Sequence, residues 1–472
     1  MNRDFVNLYI NGSLYQVSGE DVFLPLSSYL RYIICNTGTK VVCAEGDCGA
    51  CSVLVCNPSV EKNFKAVNSC IIPVYLMDGF SVVTVEGLKL GEELSEVQCK
   101  MVENHASQCG FCTPGFVVAI QNLYENSKEI TEQKVKNYTT GNLCRCTGYQ
   151  PIINAAMSVD SSKVVLSKKR YLTKEIIKDL SLKSKSSFVI KTKDKIVYGP
   201  SKQNEVSKIL LKHKDIRIVS SATDLGVVHN KEKIDLNVVV TLHKIKELYE
   251  LKVNKKIMHV GAKIDLSTLQ KFSENKIPSF SEFLNIFASM QIRNFATLVG
   301  NLANGSPIAD TIPFLFVTEA VLVIVGPKTT RKQNITEFYL GYRKLNLKKG
   351  EWIKSVLIPI PQKDEKLFLY KISQRRDLDI STVNSAFLVR AKKNKWEDIK
   401  IAYGGVGPTT LRLRETESLL KNKEINELNF KLAEENLQKE INPISDVRAS
   451  DAFRRKVSQN LFRKFCFEEG AR

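Results

Sequence analysis

The chain has 472 residues, 43% of them hydrophobic, which is enough apolar material for three or four compact domains and too much for a disordered protein. A formal net charge of +19 raises nucleic-acid binding, but Lys and Arg are spread thinly, and the denser groupings at residues 163–185 and 392–395 carry few aromatics, as solvated surface does. No stretch approaches 18 uninterrupted apolar residues, and Met1-Asn-Arg-Asp-Phe lacks the marks of a secretory signal, so the expectation is a cytoplasmic protein with neither nucleic acid nor membrane as a partner.

In chain order, apolar runs at residues 5–10 and 14–17 around Asn11-Gly12 predict a hairpin, because both central residues of a type I′ turn need φ > 0. Leu26, Tyr29, Leu30, Ile33 and Ile34 predict a helix over 26–35. A cysteine-bearing loop and strands at 52–56 and 81–86 complete a small ferredoxin-like, β-grasp domain over residues 1–85. Residues 86–160 read as a helical domain. There Thr113-Pro114 offers an N-cap hydroxyl and a first-turn proline ahead of Phe116, Val117, Ile120, Leu123 and Tyr124, Thr131 signals a second helix, and Gln150-Pro151 a third.

Residues 161–187 are rich in Lys and Ser, lack sustained periodicity, and read as a surface linker. Strands at 216–220, 238–242 and 258–260 alternate with helices at 204–213 and 267–274, predicting a mixed α/β domain over 188–365. Strands at 387–390 and 399–403, then helices at 416–420 and 429–440, predict a C-terminal α+β domain over 366–472. The fold class is thus multidomain α+β.

Eight cysteines fall into two sets of four: Cys43, Cys48, Cys51 and Cys70, spaced C-x₄-C-x₂-C…C, and Cys109, Cys112, Cys144 and Cys146, spaced C-x₂-C…C-x-C. The first spacing is that of plant-type [2Fe–2S] sites, where a short loop wraps the cluster and presents three thiolates at once. Gly46 and Gly49 lie inside that loop, where positive φ and close backbone approach cost least. A disulfide framework would need an oxidising compartment, and zinc ribbons pair their ligands as C-x₂₋₄-C knuckles, unlike either set. Cys109 and Cys112 precede one predicted helix and Cys144 and Cys146 another, where partial positive charge suits an anionic cluster. Cys35, Cys56, Cys99 and Cys466 are left as inert thiols.

The joined motifs Cys43-Ala-Glu-Gly-Asp-Cys48-Gly-Ala-Cys51, Gln108-Cys109-Gly-Phe-Cys112-Thr-Pro-Gly and Cys144-Arg-Cys146-Thr-Gly-Tyr149 closely resemble the iron–sulfur half of the molybdenum hydroxylases. The stretch from Gln291-Ile-Arg-Asn-Phe to Asp310 and the segment Ser373-Gln-Arg-Arg-Asp-Leu-Asp-Ile380 resemble that family's FAD domain, and Ile401-Ala-Tyr-Gly-Gly-Val-Gly407 its C-terminal flavoprotein domain. Clusters and flavin in one chain, without a large molybdopterin domain, are similar to the small subunit of a two-subunit xanthine dehydrogenase. The resemblance implies a molybdopterin-binding large subunit, a heterotetramer, oxidation of hypoxanthine and xanthine to urate on the partner, and electron flow through two [2Fe–2S] clusters to FAD and on to NAD⁺. The same parts would serve an enzyme for aldehydes or other N-heterocycles, and a carrier with impaired flavin chemistry is a third reading.

Position by position, the resemblance implies that Gln108 and Cys146 face the pterin and that Phe287 lies over the flavin. Val219, Ser220, Ser221, Ala222, Thr223, Asp224 and Leu225 match the first FAD segment; Thr297, Gly300 and Asn301 match the turn around the diphosphate. Ser306 and Asp310 match further cofactor contacts, Ile353 flanks the cofactor, and Lys371 supplies a cation near its ring. Read without the resemblance, Phe287 is a core residue of an apolar helix over 283–290, Asp310 a cap for a helix at 312–317, and Lys371 a solvated lysine. Three departures stand out: Ser221 and Val299 where the family usually has glycine, and Leu378 where an acidic residue is common. If the glycine replaced by Val299 served conformation, the diphosphate turn is reshaped. Gly405-Val406-Gly407 lacks the third glycine of a Rossmann fingerprint, so NAD⁺ use rests on the resemblance alone.

Overall fold

The computed structural model describes residues 3–183 and 185–470. Its chain divides into two units: one is formed by the residues up to Tyr249 together with Ala288–Ala296, the other by Glu250–Phe287 together with the residues from Thr297 onward.

The first unit opens with a five-stranded sheet in the order Ser13–Ser18, Phe5–Ile10, Ser81–Val83, Ser52–Cys56, Lys65–Asn68. Phe5–Ile10 runs parallel to Ser81–Val83, and every other neighbour is antiparallel. The expected hairpin is present, with Asn11 at φ 50° and Gly12 at φ 87°. The helix expected over 26–35 starts as Leu26–Ser28 and widens into one π-type turn, Tyr29–Ile33. Leu26, Tyr29 and Leu30 pack with Val6, Leu8, Val53, Val55 and Val82 in one apolar core.

Helices Glu96–Glu103, Thr113–Asn126, Glu132–Thr139 and Gln150–Met157 follow, and their inward faces join Leu54, Phe64 and Val83 in a second core. Thr131 caps its helix by accepting the Lys134 N–H. Thr113 does not cap: the N-cap position falls on Cys112, and the Thr113 hydroxyl instead lies 2.8 Å from that of Ser107.

The stretch read as a linker is structured, with helices Ser167–Tyr171 and Lys174–Lys183. Both are too short for periodicity to show, and tertiary bonds hold them. The Tyr171 hydroxyl donates to the Gly87 carbonyl, that of Tyr9 donates to Asp179, and the half-buried Glu125 carboxylate accepts from the Ser167 hydroxyl and N–H. A four-stranded sheet, Phe188–Lys191, Ile196–Gly199, Val238–Thr241, Arg217–Val219, completes this unit.

In the second unit a five-stranded antiparallel sheet runs Leu251–Asn254, Ile257–Gly261, Trp352–Pro359, Val321–Val325, Thr330–Asn334. A four-stranded antiparallel sheet runs Glu365–Ile372, Val383–Lys392, Lys395–Gly404, Leu411–Arg412. Its core, built on Phe387, Trp396, Ile401 and Tyr403, is closed by Leu461, Phe462 and Phe465 of the helix Asp451–Gly470. The apolar helix expected over 283–290 is broken. Pro278–Phe283 and one 3₁₀ turn, Leu284–Ile286, end before Phe287, which has extended backbone at φ −85°, ψ 110°. Ser289 restarts the chain by capping Met290–Arg293 through the Ile292 N–H. A serine suited to a cap inside an apolar run was the missed signal.

Candidate iron–sulfur and flavin sites

The first cysteine set converges. Cys48 and Cys70 neighbour Cys43, and Cys70 also neighbours Cys51, and hydrogen bonds from these thiols bring the Cys43 and Cys51 thiols down. The same bonds, with burial, push Cys48 and Cys70 up as the donors. The second set pairs Cys112 with Cys144 and Cys109 with Cys146. Burial is the main reason the Cys112 thiol is pushed up to about 12, with the Cys144 bond adding to it. Burial also opposes ionisation of Cys144, but bonds from the Thr147 hydroxyl and N–H outweigh it and bring that thiol down.

Among the described residues, no group of three or more His, Cys, Asp or Glu is arranged to hold a single metal ion. In the second set the thiols meet in pairs. Four soft, anion-forming donors per set are the donor chemistry an iron–sulfur cluster takes, so the residues fit that group.

Local backbone geometry makes the loops possible. Gly46 and Gly49 sit at φ 76° and 67°, and Ala44, although not glycine, at φ 54°. The loops also press on one another: a Cβ on Gly49 would lie 2.3 Å from the Gly141 carbonyl oxygen, and one on Gly115 2.3 Å from that of Gly49. Where they meet, the Leu143 N–H donates to the Cys48 carbonyl at 3.0 Å, which links a residue of the first set to the neighbour of Cys144.

Side-chain amides fix the remaining carbonyls. Asn142 and Ser52 donate to the Gly49 carbonyl at 3.1 and 2.7 Å, Asn68 to that of Gly46 at 2.6 Å, and Asn294 to that of Ala66 at 2.8 Å. Gln291 donates to the Asn142 side-chain oxygen at 2.7 Å. Gln291 and Asn294 open the motif assigned by resemblance to the flavin domain, yet they belong to the first unit and brace the cysteine loops.

The two sets differ in exposure. Cys48, Cys51 and Cys70 are buried, whereas Cys109 and Cys146 are exposed among the exposed apolar side chains Phe111, Leu143 and Tyr149. Gln108 is exposed next to Cys109 and lies in a bend, away from any helix cap.

The residues expected at the flavin are shared between the units. In the first, Val219 ends a strand, and Ser220, Ser221, Ala222, Thr223 and Asp224 form the turn into the helix Leu225–Asn230. Ser221 is buried, and the left-handed residue of this turn is its neighbour Ala222 at φ 59°, so glycine is not required at 221 for conformation.

In the second unit Thr297 caps the helix Leu298–Ala303 by accepting the Gly300 N–H at 3.0 Å. Val299 lies inside that helix and is not among the residues with positive φ, so valine is unstrained there. Asn301 accepts from the Thr311 hydroxyl at 2.6 Å, Ser306 follows at the next turn, and Ile353 is a buried strand residue. Leu378 takes φ 60°, a conformation an acidic residue would also have had to adopt.

Lys371 is no solvated lysine. Its side chain is 2% exposed, and the ammonium donates to Asp310 at 2.7 Å and to the Ile286 carbonyl at 3.4 Å, beside Phe287 in sequence. Asp310 is therefore the lysine's counter-charge, and the position before Ile312–Val317 is taken by Thr311. The Ser381 hydroxyl and the Asn384 amide, at 3.0 Å for the latter, donate to the other Asp310 oxygen. Neither residue was singled out in the sequence, because strand positions 381–384 carry no motif. Within the second unit, a buried cation bonded to the carbonyl of the residue before the half-buried Phe287 fits a flavin.

Three family models match the chain: a [2Fe-2S] binding domain over residues 84–157, the FAD binding domain in molybdopterin dehydrogenase over 190–361, and the CO dehydrogenase flavoprotein C-terminal domain over 368–468. Xanthine dehydrogenase of Emericella nidulans is 31% identical over 480 residues, covering 89% of this chain and 35% of the relative. Xanthine dehydrogenase 1 of Arabidopsis thaliana is 29% identical, covering 97% and 39%. The chain thus spans well under half the length of the curated relatives it matches.

Among solved structures, CO dehydrogenase from Oligotropha carboxidovorans aligns with a TM-score of 0.54 at 22% identity, over 56% of this chain and 94% of that one. Quinoline 2-oxidoreductase from Pseudomonas putida 86 gives 0.54 at 22% identity, over 57% and 94%. At that identity the likeness shows the fold alone. These domains define a chain that combines [2Fe–2S] binding with FAD binding. It belongs to the molybdenum hydroxylase family, in which it corresponds to the iron–sulfur and FAD part.

Proposed function

We propose that this chain carries electrons from a molybdopterin site on a partner subunit through two [2Fe–2S] clusters to FAD and then to NAD⁺, within a cytoplasmic, heterotetrameric enzyme that oxidises hypoxanthine and xanthine to urate. The observation that carries the proposal is the pair of abutting cysteine sets, the first mostly buried and the second with Cys109 and Cys146 exposed, joined by the Leu143 to Cys48 hydrogen bond. When bound, the clusters supply one-electron steps and FAD the conversion of single electrons to a two-electron transfer.

The chain's own residues divide the remaining work. Cys109, Cys112, Cys144 and Cys146 hold the centre nearer the surface, where Gln108, Phe111 and Leu143 offer a face to the partner. Cys43, Cys48, Cys51 and Cys70, three of them buried, would hold the deeper centre. Lys371, fixed by Asp310, would hold a cation near a bound flavin, and Phe287 would lie against it. The first-listed curated relatives, all xanthine dehydrogenases, favour the purine reading. Purification of the full chain with whatever binds it should yield ~4 Fe and one FAD per chain. The complex should reduce NAD⁺ with xanthine, and turnover confined to aldehydes or to other N-heterocycles overturns the purine assignment. Flavin-free protein with both clusters intact favours a carrier.

A further inference from the structure

The helix Leu225–Asn230 directly follows the turn proposed to meet FAD, and its last residue reaches back to the first cysteine loop. The Asn230 side-chain amide donates to two carbonyls at once, that of Ala44 at 2.8 Å and that of Cys70 at 2.9 Å. Both neighbours are backbone oxygens, which only accept, so the nitrogen of the amide must be the end that faces them. One carbonyl belongs to a cysteine of the set, and the other to the residue following Cys43. The bond thus spans the first and last cysteines of the C-x₄-C-x₂-C…C pattern, 27 positions apart by subtraction.

Two further contacts hold the helix in this place. A Cβ on Gly226 would lie 2.2 Å from the Ile71 carbonyl oxygen, so the helix backbone lies directly on the residue after Cys70. Lys231 pairs with Glu45 on the same loop. Ala44 also needs holding: its φ of 54° is a left-handed conformation that a non-glycine residue adopts only at a cost.

We propose that Asn230 is a positioning residue for the first iron–sulfur centre, clamping both ends of its loop and raising its reduction potential. The inference rests on the reading that the two cysteine sets hold clusters. The amide donates to the Ala44 and Cys70 carbonyls, so it offsets the negative ends of two backbone dipoles beside the cysteines and thereby favours an added electron there. Asn230 therefore ties the electron affinity of the first centre to the segment that leads into the flavin site.

The test is a redox titration of the full chain, followed by electron paramagnetic resonance, for wild type, Asn230→Ala and Asn230→Asp, with the second centre as internal reference. The expected result is a fall in the reduction equilibrium constant of one centre by tenfold or more, about 59 mV for a one-electron couple. The other centre should be unmoved, and Asn230→Asp should give the larger shift because it adds a negative charge. The altered centre should also lose iron to a chelator sooner than its neighbour. Unchanged potential and line shape in both variants overturn the proposal, as does parallel loss of both centres, which would mark a general folding role. Absence of any iron–sulfur signal in wild type is a different failure, that of the cluster reading itself.

Discussion

Replacing Asp310 by Asn should destabilise the second unit far more than an ordinary surface change, because it strands a buried cation. The Lys371 ammonium lies 2.7 Å from the carboxylate and its side chain is 2% exposed. At an effective dielectric of ~20 the attraction at that distance is about 6 kcal/mol, most of it offset by the cost of taking both charges out of water. Removing one partner forfeits the attraction and keeps the other's desolvation cost, so Asp310→Asn should cost ~3–5 kcal/mol. Lys371→Met should cost less, ~1–3 kcal/mol, because Asp310 keeps its donors Ser381 and Asn384 and is the more exposed partner. The double variant should be more stable than Asp310→Asn alone, since it removes the stranded charge. Urea unfolding of the four proteins, read as a double-mutant cycle, measures this coupling. A cost under about 1 kcal/mol for Asp310→Asn, or additive single effects, refutes the picture of a dry, mutually dependent pair.

Gly115→Ala drives a Cβ to 2.3 Å from the Gly49 carbonyl oxygen, where backbone must move. It should cost ~1–3 kcal/mol and lower iron retention, and a melting temperature within about a degree of wild type would contradict the tight loop packing. Cys51→Ser and Cys144→Ser should each halve the iron content, from ~4 to ~2 per chain, with loss of a different spectroscopic signal in each; loss of the same signal would disprove two separate sets.

A pH test concerns Asp78. Burial pushes its carboxyl up, but Lys244 and Arg3 outweigh burial and hold it below the usual value of 3.8. A depressed folded pKa contributes stability that is present above the unfolded value and is lost as pH falls through the folded one. The stability gap between wild type and Asp78→Asn should therefore narrow below about pH 3.8, and a gap constant down to pH ~2.5 counts against the ion pairs as its cause.

The readability of each part of the chain follows from how local its determinants are. The Asn11-Gly12 hairpin and the Thr131-capped helix were legible because turn and cap chemistry are written into adjacent residues. The cysteine sets were legible for a similar reason, since cluster binding constrains spacing along the chain. The helices within residues 161–187 were not, because Glu125, Gly87 and Tyr9, all far away in sequence, supply what holds them. The 283–290 run looked like one helix on hydrophobicity, and only Ser289 hinted at the break. The 20-residue helix Asp451–Gly470 was not legible because its buried apolar residues, Leu461, Phe462, Phe465 and Cys466, are confined to its second half. Within the sites, Lys371 and Asp310 were named, but their pairing and the supporting Ser381, Asn384, Asn142 and Asn230 are facts of three-dimensional proximity.

The excursion of Ala288–Ala296 into the first unit has a practical meaning for anyone who cuts this gene. A truncation ending at Tyr249 would look, on paper, like a tidy miniature redox protein, but it would arrive without the amides of Gln291 and Asn294, and so with the Ala66 carbonyl and the Asn142 side chain open to water. No single scissor site separates the halves. Engineers wanting a portable electron wire from this chain would have to graft that nine-residue patch back, by fusion or as a separate peptide.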